Sequence, residues 1–196
     1  MNLPNKLTIF RIILVPIMVI IPFLGIQGEF FNIPIQNWII IAIFSIASYT
    51  DHLDGKIARK NNIVTTFGKF ADPLADKILV LSAMLMLVEM QLLPAVIPII
   101  VLTREFIVSG FRLIAVEKGG KVIAANIWGK LKTVTQIIAI ILAFLDIHAF
   151  GTFMFETLTG YELAINIAST IVMSLATIAT IFSGATYLKG GKELLK

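Results

Sequence analysis

Trp38-Ile39-Ile40-Ile41-Ala42-Ile43-Phe44-Ser45-Ile46-Ala47-Ser48-Tyr49 runs without a charge straight into Thr50-Asp51-His52-Leu53-Asp54-Gly55-Lys56-Ile57-Ala58-Arg59. An apolar run that passes directly into acids and bases reads as a helix leaving one solvent for another. Similar stretches occur at Ile9–Leu24, Ile35–Tyr49, Ile78–Glu89, Ala95–Phe111, Val134–Leu145 and Leu163–Phe182. Several are shorter than the ~18–20 apolar residues that span a bilayer unaided, so their helices must continue into the polar flanks. Open backbone hydrogen bonds are not tolerated in hydrocarbon, and none of the runs alternates polar with apolar. Helices are therefore expected, and a transmembrane barrel is not. The composition agrees: 58% of residues are hydrophobic and only 14% charged, where a soluble domain carries about a quarter charged.

The charges are segregated. All sixteen Lys and Arg residues fall at one set of run ends. Lys6 and Arg11 lie at the first run's start. Lys56, Arg59, Lys60, Lys69 and Lys77 surround the second link, and Arg104, Arg112, Lys118, Lys121, Lys130 and Lys132 surround the fourth. Lys189, Lys192 and Lys196 close the chain. The opposite links, Gln27–Pro34, Met90–Pro94 and Asp146–Tyr161, hold no Lys or Arg. The positive-inside rule then puts both termini and the two basic links in the cytoplasm. The expected fold is an all-α, integral membrane bundle of six transmembrane helices, a single domain over residues 1–196. Pro34, Pro94 and Gly151 mark outer links, and Gly119-Gly120 an inner one. Met1–Gly25 reads as a retained first span, because its apolar run outlasts a signal core and no small-residue cleavage site follows. Cysteine is absent, so disulfides are excluded. No nucleic-acid partner is expected.

If the second helix runs on past Tyr49, Asp51, Asp54, Gly55 and Ala58 share one narrow face with Arg59 at its edge. The third apolar run is preceded by Gly68-Lys69-Phe70-Ala71-Asp72-Pro73-Leu74-Ala75-Asp76-Lys77. Asp72 and Asp76 are i, i+4 on one helical face, with Gly68 a turn earlier if the helix starts early enough. Pro73 either opens that helix or bends one already begun. A short inner link brings the two faces together, so four carboxylates converge near the inner membrane boundary. Anions so placed repel strongly at low dielectric and are tolerable only with cations among them. Oxygen ligands without His or Cys point to Mg²⁺ or Mn²⁺. Two such ions would use four carboxylates and leave positions open for phosphate oxygens. A single aspartate here would be an ordinary helix-end charge. Four at facing positions, framed by small Gly55, Ala58 and Gly68, form a site with room for a ligand.

These residues match the signature D-x-x-D-G-x-x-A-R, eight residues, G-x-x-x-D-x-x-x-D at every specified position, and by it the chain resembles the CDP-alcohol phosphotransferase family. Three further stretches are similar to one branch, the bacterial phosphatidylglycerophosphate synthases. They are Asn5-Lys6-Leu7-Thr8-Ile9-Phe10-Arg11, Thr103-Arg104-Glu105-Phe106-Ile107-Val108-Ser109-Gly110-Phe111-Arg112, and Gly129-Lys130-Leu131-Lys132-Thr133. The resemblance implies that Asp51, Asp54, Asp72 and Asp76 ligate two divalent cations, with Asp76 also the general base. It implies that Gly55, Ala58, Arg59 and Gly68 line the cytidine-diphosphate site, and that Asn5, Thr8 and Arg11 approach the nucleotide. It further implies CDP-diacylglycerol and glycerol 3-phosphate as substrates, a homodimer in membrane lipid, and an active site facing the cytoplasm of a bacterial cell membrane.

The residue inventory suits such a displacement. Asp76 lies deepest along the third helix, where a carboxylate can take a proton from an attacking hydroxyl. His52 falls on the far side of the second helix from Asp54. No Cys is present and nothing marks a Ser as a nucleophile, so direct attack is expected over a covalent intermediate. An acceptor that itself carries phosphate needs further cations, and Arg104, Arg112, Lys130 and Lys132 are the candidates. Arg104 and Arg112 lie within about 100° around one helix. From these residues alone inositol phosphate fits as well as glycerol phosphate, with serine and choline as further acceptors of the same chemistry. A divalent-cation carrier is the alternative of a different class. Its acids would be expected at mid-span between broken helices.

Overall fold

In the computed structural model, residues 2–60, 65–117 and 127–191 are described. Within the helices, the side chains of 52, 54–60, 69, 115–117, 127, 128, 130, 190 and 191 lie outside that description. The described residues form six α-helices: α1 (Leu3–Ile20), α2 (Ile35–Lys60), α3 (Thr66–Glu89), α4 (Val96–Glu117), α5 (Ile127–Leu145) and α6 (Gly160–Gly191). By backbone packing they divide into two compact units. One comprises residues 1–91 with Phe144–Ile147, and the other Leu92–Ala143 with His148–Lys196.

Every helix extends beyond its apolar run into the basic flank. The second run ends at Tyr49, but α2 continues to Lys60 for 26 residues. The third run begins at Ile78, but α3 begins at Thr66 and has 24 residues. Two helical segments, Leu3–Leu24 and Gly160–Lys189, are both long and apolar enough to cross a bilayer. In α2 and α3 the added turns are charged, so length and apolarity do not coincide.

Sidedness shows which solvent the helices are built for. The buried stripe of α1 is Pro4, Asn5, Thr8, Arg11, Val15 and Met18, while Phe10, Ile13, Ile17 and Ile20 are exposed. α6 likewise buries Asn166, Ser169, Thr170, Thr180 and Ser183 and exposes Ile171, Leu175, Ile178 and Phe182. Polar groups turned inward beneath an apolar coat reverse the pattern of a water-soluble helix and suit hydrocarbon.

In the first unit α1 packs on both α2 and α3, and in the second α4 packs on α6. The all-α expectation needs one small amendment. Between α1 and α2 stands a hairpin of β1 (Glu29–Phe30) and β2 (Ile33–Pro34), paired Glu29 to Pro34 and Phe30 to Ile33. Its turn is Phe31-Asn32, both left-handed at φ 55° and 59°, so the reversal comes just before Pro34. Two left-handed residues match the right-handed twist of the flanking strands. Trp38 Nε1 donates to Phe30 O at 3.1 Å and ties the hairpin to α2. Gly151 turns the chain before α6 at φ +79°, as expected of that link. Gly119 and Gly120 lie outside the described residues.

Candidate active site

The site of the first unit is organised by α1. Asn5, Thr8 and Arg11 recur every three residues along its buried stripe and each engages a neighbouring segment. Arg11, with a side chain fully removed from solvent, donates from Nη1 to Asp51 Oδ1 of α2 at 2.7 Å. Thr8 donates its hydroxyl to Asp72 Oδ1 of α3 at 2.5 Å. Pro4 O stands 3.1 Å from the same hydroxyl, but the charged acceptor is the stronger one for its single proton. Asp51 and Asp72, which are 21 positions apart in sequence, are thus held one helical turn apart on α1.

Asn5 sets the start of α3. Thr65 is the N-cap, its hydroxyl accepting from Gly68 N at 3.0 Å and donating to Asn5 Oδ1 at 2.8 Å. Capping of this kind satisfies one of the orphan N–H groups at a helix start. The helix is therefore already running at Gly68, and Pro73 lies inside it. Lacking an N–H, Pro73 leaves the carbonyl four residues back without its helical donor. Gly68, Asp72 and Asp76 then follow one another at one-turn spacing along a single helix. Gly68 is buried where a Cβ would come within 3.2 Å of both Asn5 Oδ1 and Thr65 Oγ1, and within 3.5 Å of Asp72 Oδ2. This crowd of oxygens requires the absence of a side chain.

Asp51, Asp72 and Asp76 are all half-buried. The side chains of Asp54, Gly55, Ala58 and Arg59 lie outside those described, although the backbone of α2 carries them on the same helix as Asp51. Among the described residues no group of three or more His, Cys, Asp or Glu is placed to hold a metal ion. The donor chemistry nonetheless fits a hard dication. It is carboxylate oxygen throughout, and the bonds to α1 named above fall on Oδ1 of both Asp51 and Asp72.

In the second unit three of the four cations named for an acceptor phosphate can be followed. Arg104 Nη1 donates to Glu105 Oε1 at 2.8 Å, and Lys132 Nζ pairs with the same oxygen. Arg104 Nη2 donates to Ser183 Oγ at 2.6 Å, and its guanidinium stands 5.8 Å from the Tyr187 ring centroid. Arg112 is exposed and reaches the Tyr187 hydroxyl at 3.3 Å. The side chain of Lys130 lies outside those described. Gly184 gives Arg104 room, since a Cβ there would stand 3.3 Å from Arg104 Cγ. Arg104 Nε is buried without a hydrogen-bond partner among the described residues. Arg104 and Lys132 are therefore shared with Glu105, a residue to which sequence reasoning assigned no role. Its signal was visible: one acid among apolar residues beside an arginine. Thr65, Ser183 and Tyr187 were missed too, and nothing local to them marks a partner so distant in sequence. Asn5, Thr8 and Arg11, expected near the nucleotide, are placed here on the α3 cap and the carboxylates.

The family model for CDP-alcohol phosphatidyltransferase matches residues 1–183, across both units. A CDP-diacylglycerol–glycerol-3-phosphate 3-phosphatidyltransferase of Bacillus subtilis is 49% identical over 146 residues, 71% of this chain and 74% of its own. One of Haemophilus influenzae is 38% identical over 200 residues, 99% of this chain and 95% of its own. A probable phosphatidylglycerophosphate synthase of Mycobacterium tuberculosis is 36% identical over 187 residues, covering 95% and 80%. With the signature aspartates on α2 and α3 and a family match over nearly its whole length, the chain belongs to the CDP-alcohol phosphatidyltransferase family.

Proposed function

We propose that this protein transfers the phosphatidyl group of CDP-diacylglycerol to the hydroxyl of sn-glycerol 3-phosphate, giving phosphatidylglycerol phosphate and CMP. One observation carries the reading. Asp51 and Asp72, both signature acids, are held on one stripe of α1 in a chain whose relatives bear that activity in their names over up to 99% of its length. Asp51, Asp54, Asp72 and Asp76 would hold two divalent ions, Mg²⁺ or Mn²⁺, whose chemistry is to neutralise the diphosphate and the leaving CMP. The chain's own groups do the rest. Gly55, Ala58, Arg59 and Gly68 line the nucleotide, the small ones allowing close approach. Asp76 accepts the proton of the attacking hydroxyl as the new phosphate ester bond forms and the bond to CMP breaks. Arg104, Arg112, Lys130 and Lys132 attract the acceptor's phosphate, with Glu105 holding Arg104 and Lys132 in place. Attack is direct, so no covalent lipid–enzyme species forms.

The same reading extends to the setting. The apolar coats of α1 and α6, together with the segregation of Lys and Arg, support six membrane spans. Both termini and the acids then lie on the cytoplasmic side of the cell membrane, and the active form is a homodimer. Purified protein in detergent, supplied with CDP-diacylglycerol, Mg²⁺ and single acceptors, is expected to release CMP with glycerol 3-phosphate alone. Release with serine or inositol phosphate would overturn the choice of acceptor. No release with any acceptor, together with metal flux in vesicles, would overturn the enzyme reading in favour of a carrier.

A further inference from the structure

A guanidinium carries its charge at any physiological pH, and removing it from water is costly unless an anion meets it. Arg11 is among the largest fully buried side chains in the protein and is 0% exposed. An anion it meets is Asp51, whose side chain is 39% exposed, so the pair joins the packed α1 stripe to a half-exposed carboxylate. One turn back on α1, Thr8 holds Asp72 through an uncharged hydroxyl. Of these two tethers only Arg11 brings charge. Asp51 on α2 and Asp72 on α3, held one turn apart on α1, repel one another, and repulsion between like charges grows as water is excluded. A dication would relieve that repulsion once bound. Before it binds, the three helices still have to pack.

We infer that Arg11 is the resident counter-cation of the Asp51 and Asp72 carboxylates that α1 tethers. It is a positioning residue that fixes Asp51 against α1 and lets α2 and α3 close on it ahead of any divalent ion. The inference rests on the reading of these aspartates as metal ligands. It gives α1 a task apart from contact with nucleotide: its neutral tether and its charged tether share one stripe, each bonded to Oδ1 of its aspartate.

The test compares melting temperatures of the purified full-length protein with and without Mn²⁺, for wild type, R11M, R11K and R11M/D51N. Without metal, R11M is expected to melt about 5 °C lower, because Asp51 is left uncompensated and only partly screened by water. R11M/D51N should recover most of that loss, since neither charge remains. The rise produced by Mn²⁺ should be larger in R11M than in wild type, because the ion then supplies charge that Arg11 otherwise provides. R11K, which keeps the charge but not the fork, should respond to Mn²⁺ as wild type does. An R11M protein that loses the same amount with and without Mn²⁺, or a double variant no better than R11M, would show that Arg11 only fills space and would overturn the inference. Should R11M fail to fold, folding of R11M/D51N supports the inference and failure of both overturns it. A wild type indifferent to Mn²⁺ refutes the metal reading instead. The metal-free pair would still decide whether Arg11 acts through its charge.

Discussion

Replacing Gly68 by alanine separates what this position does for the helix from what it does for the site. Gly68 is the third residue of α3, with ordinary negative φ, so alanine meets no backbone strain there. Helix propensity alone favours the change by about 0.5–1 kcal/mol. Against this, the new methyl would lie 3.2 Å from Asn5 Oδ1 and Thr65 Oγ1 and 3.5 Å from Asp72 Oδ2. Relief requires a few tenths of an ångström of movement in atoms that are mutually bonded, the Thr65 cap and its Asn5 partner. Loosening such a cap costs about 1 kcal/mol. The two terms nearly cancel, so the melting temperature should move by no more than about 3 °C. Activity should not be so protected. Asp72 shares the crowded spot, and small misplacements of reacting or ligating groups cost about tenfold to a hundredfold in rate. CMP release measured beside thermal unfolding tests this directly. Gly110→Ala is the control, since nothing lies within 4 Å of its Cβ position, and it should keep full activity. A Gly68→Ala enzyme as active as wild type would refute the idea that this face is cleared for the site. A large loss of stability would show that crowding outweighs propensity.

Asp76→Asn should insert and bind nucleotide normally while turnover nearly vanishes, as measured by single-turnover CMP release. Substantial residual turnover would remove Asp76 from the role of base. Arg104→Ala should raise the KM for glycerol 3-phosphate with little change for CDP-diacylglycerol, and equal changes for both would count against a dedicated acceptor role. Glu105→Gln leaves Arg104 and Lys132 without the carboxylate they share, so it should cost about 2–4 kcal/mol of stability, read as a lower melting temperature. An unchanged melting temperature would mean that Arg104 and Lys132 do not depend on this carboxylate. Because the chain has no cysteine, single cysteines can report topology without background. Gln27→Cys and Ala149→Cys should react with an impermeant thiol reagent from outside the cell, and Lys189→Cys only after permeabilisation. The reverse pattern would invert the orientation.

Much was legible in one dimension because hydrocarbon is an unforgiving solvent. Runs such as Trp38–Tyr49 could only be helices, and the acid spacings at Asp51/Asp54 and Asp72/Asp76 follow from helical periodicity. Asp51 and Asp72 are therefore expected on facing helices from spacing alone. What local patterns left open was how far each helix runs and what holds its end. Pro73 can begin a helix or interrupt one, and its neighbours do not choose. The choice lies 68 positions away, where Asn5 receives the Thr65 hydroxyl and α3 starts early enough to carry Gly68. The same holds for charge. Arg11 is expected near the nucleotide, and Arg104 and Lys132 near an acceptor phosphate, with no carboxylate partner legible for any of them. Only packing put the first on Asp51 and the other two on Glu105. Solvent preference and helical period act between near neighbours in the chain and can be read there. The pairing of a buried charge depends on which distant side chain fills the space beside it, and tertiary structure alone decides that.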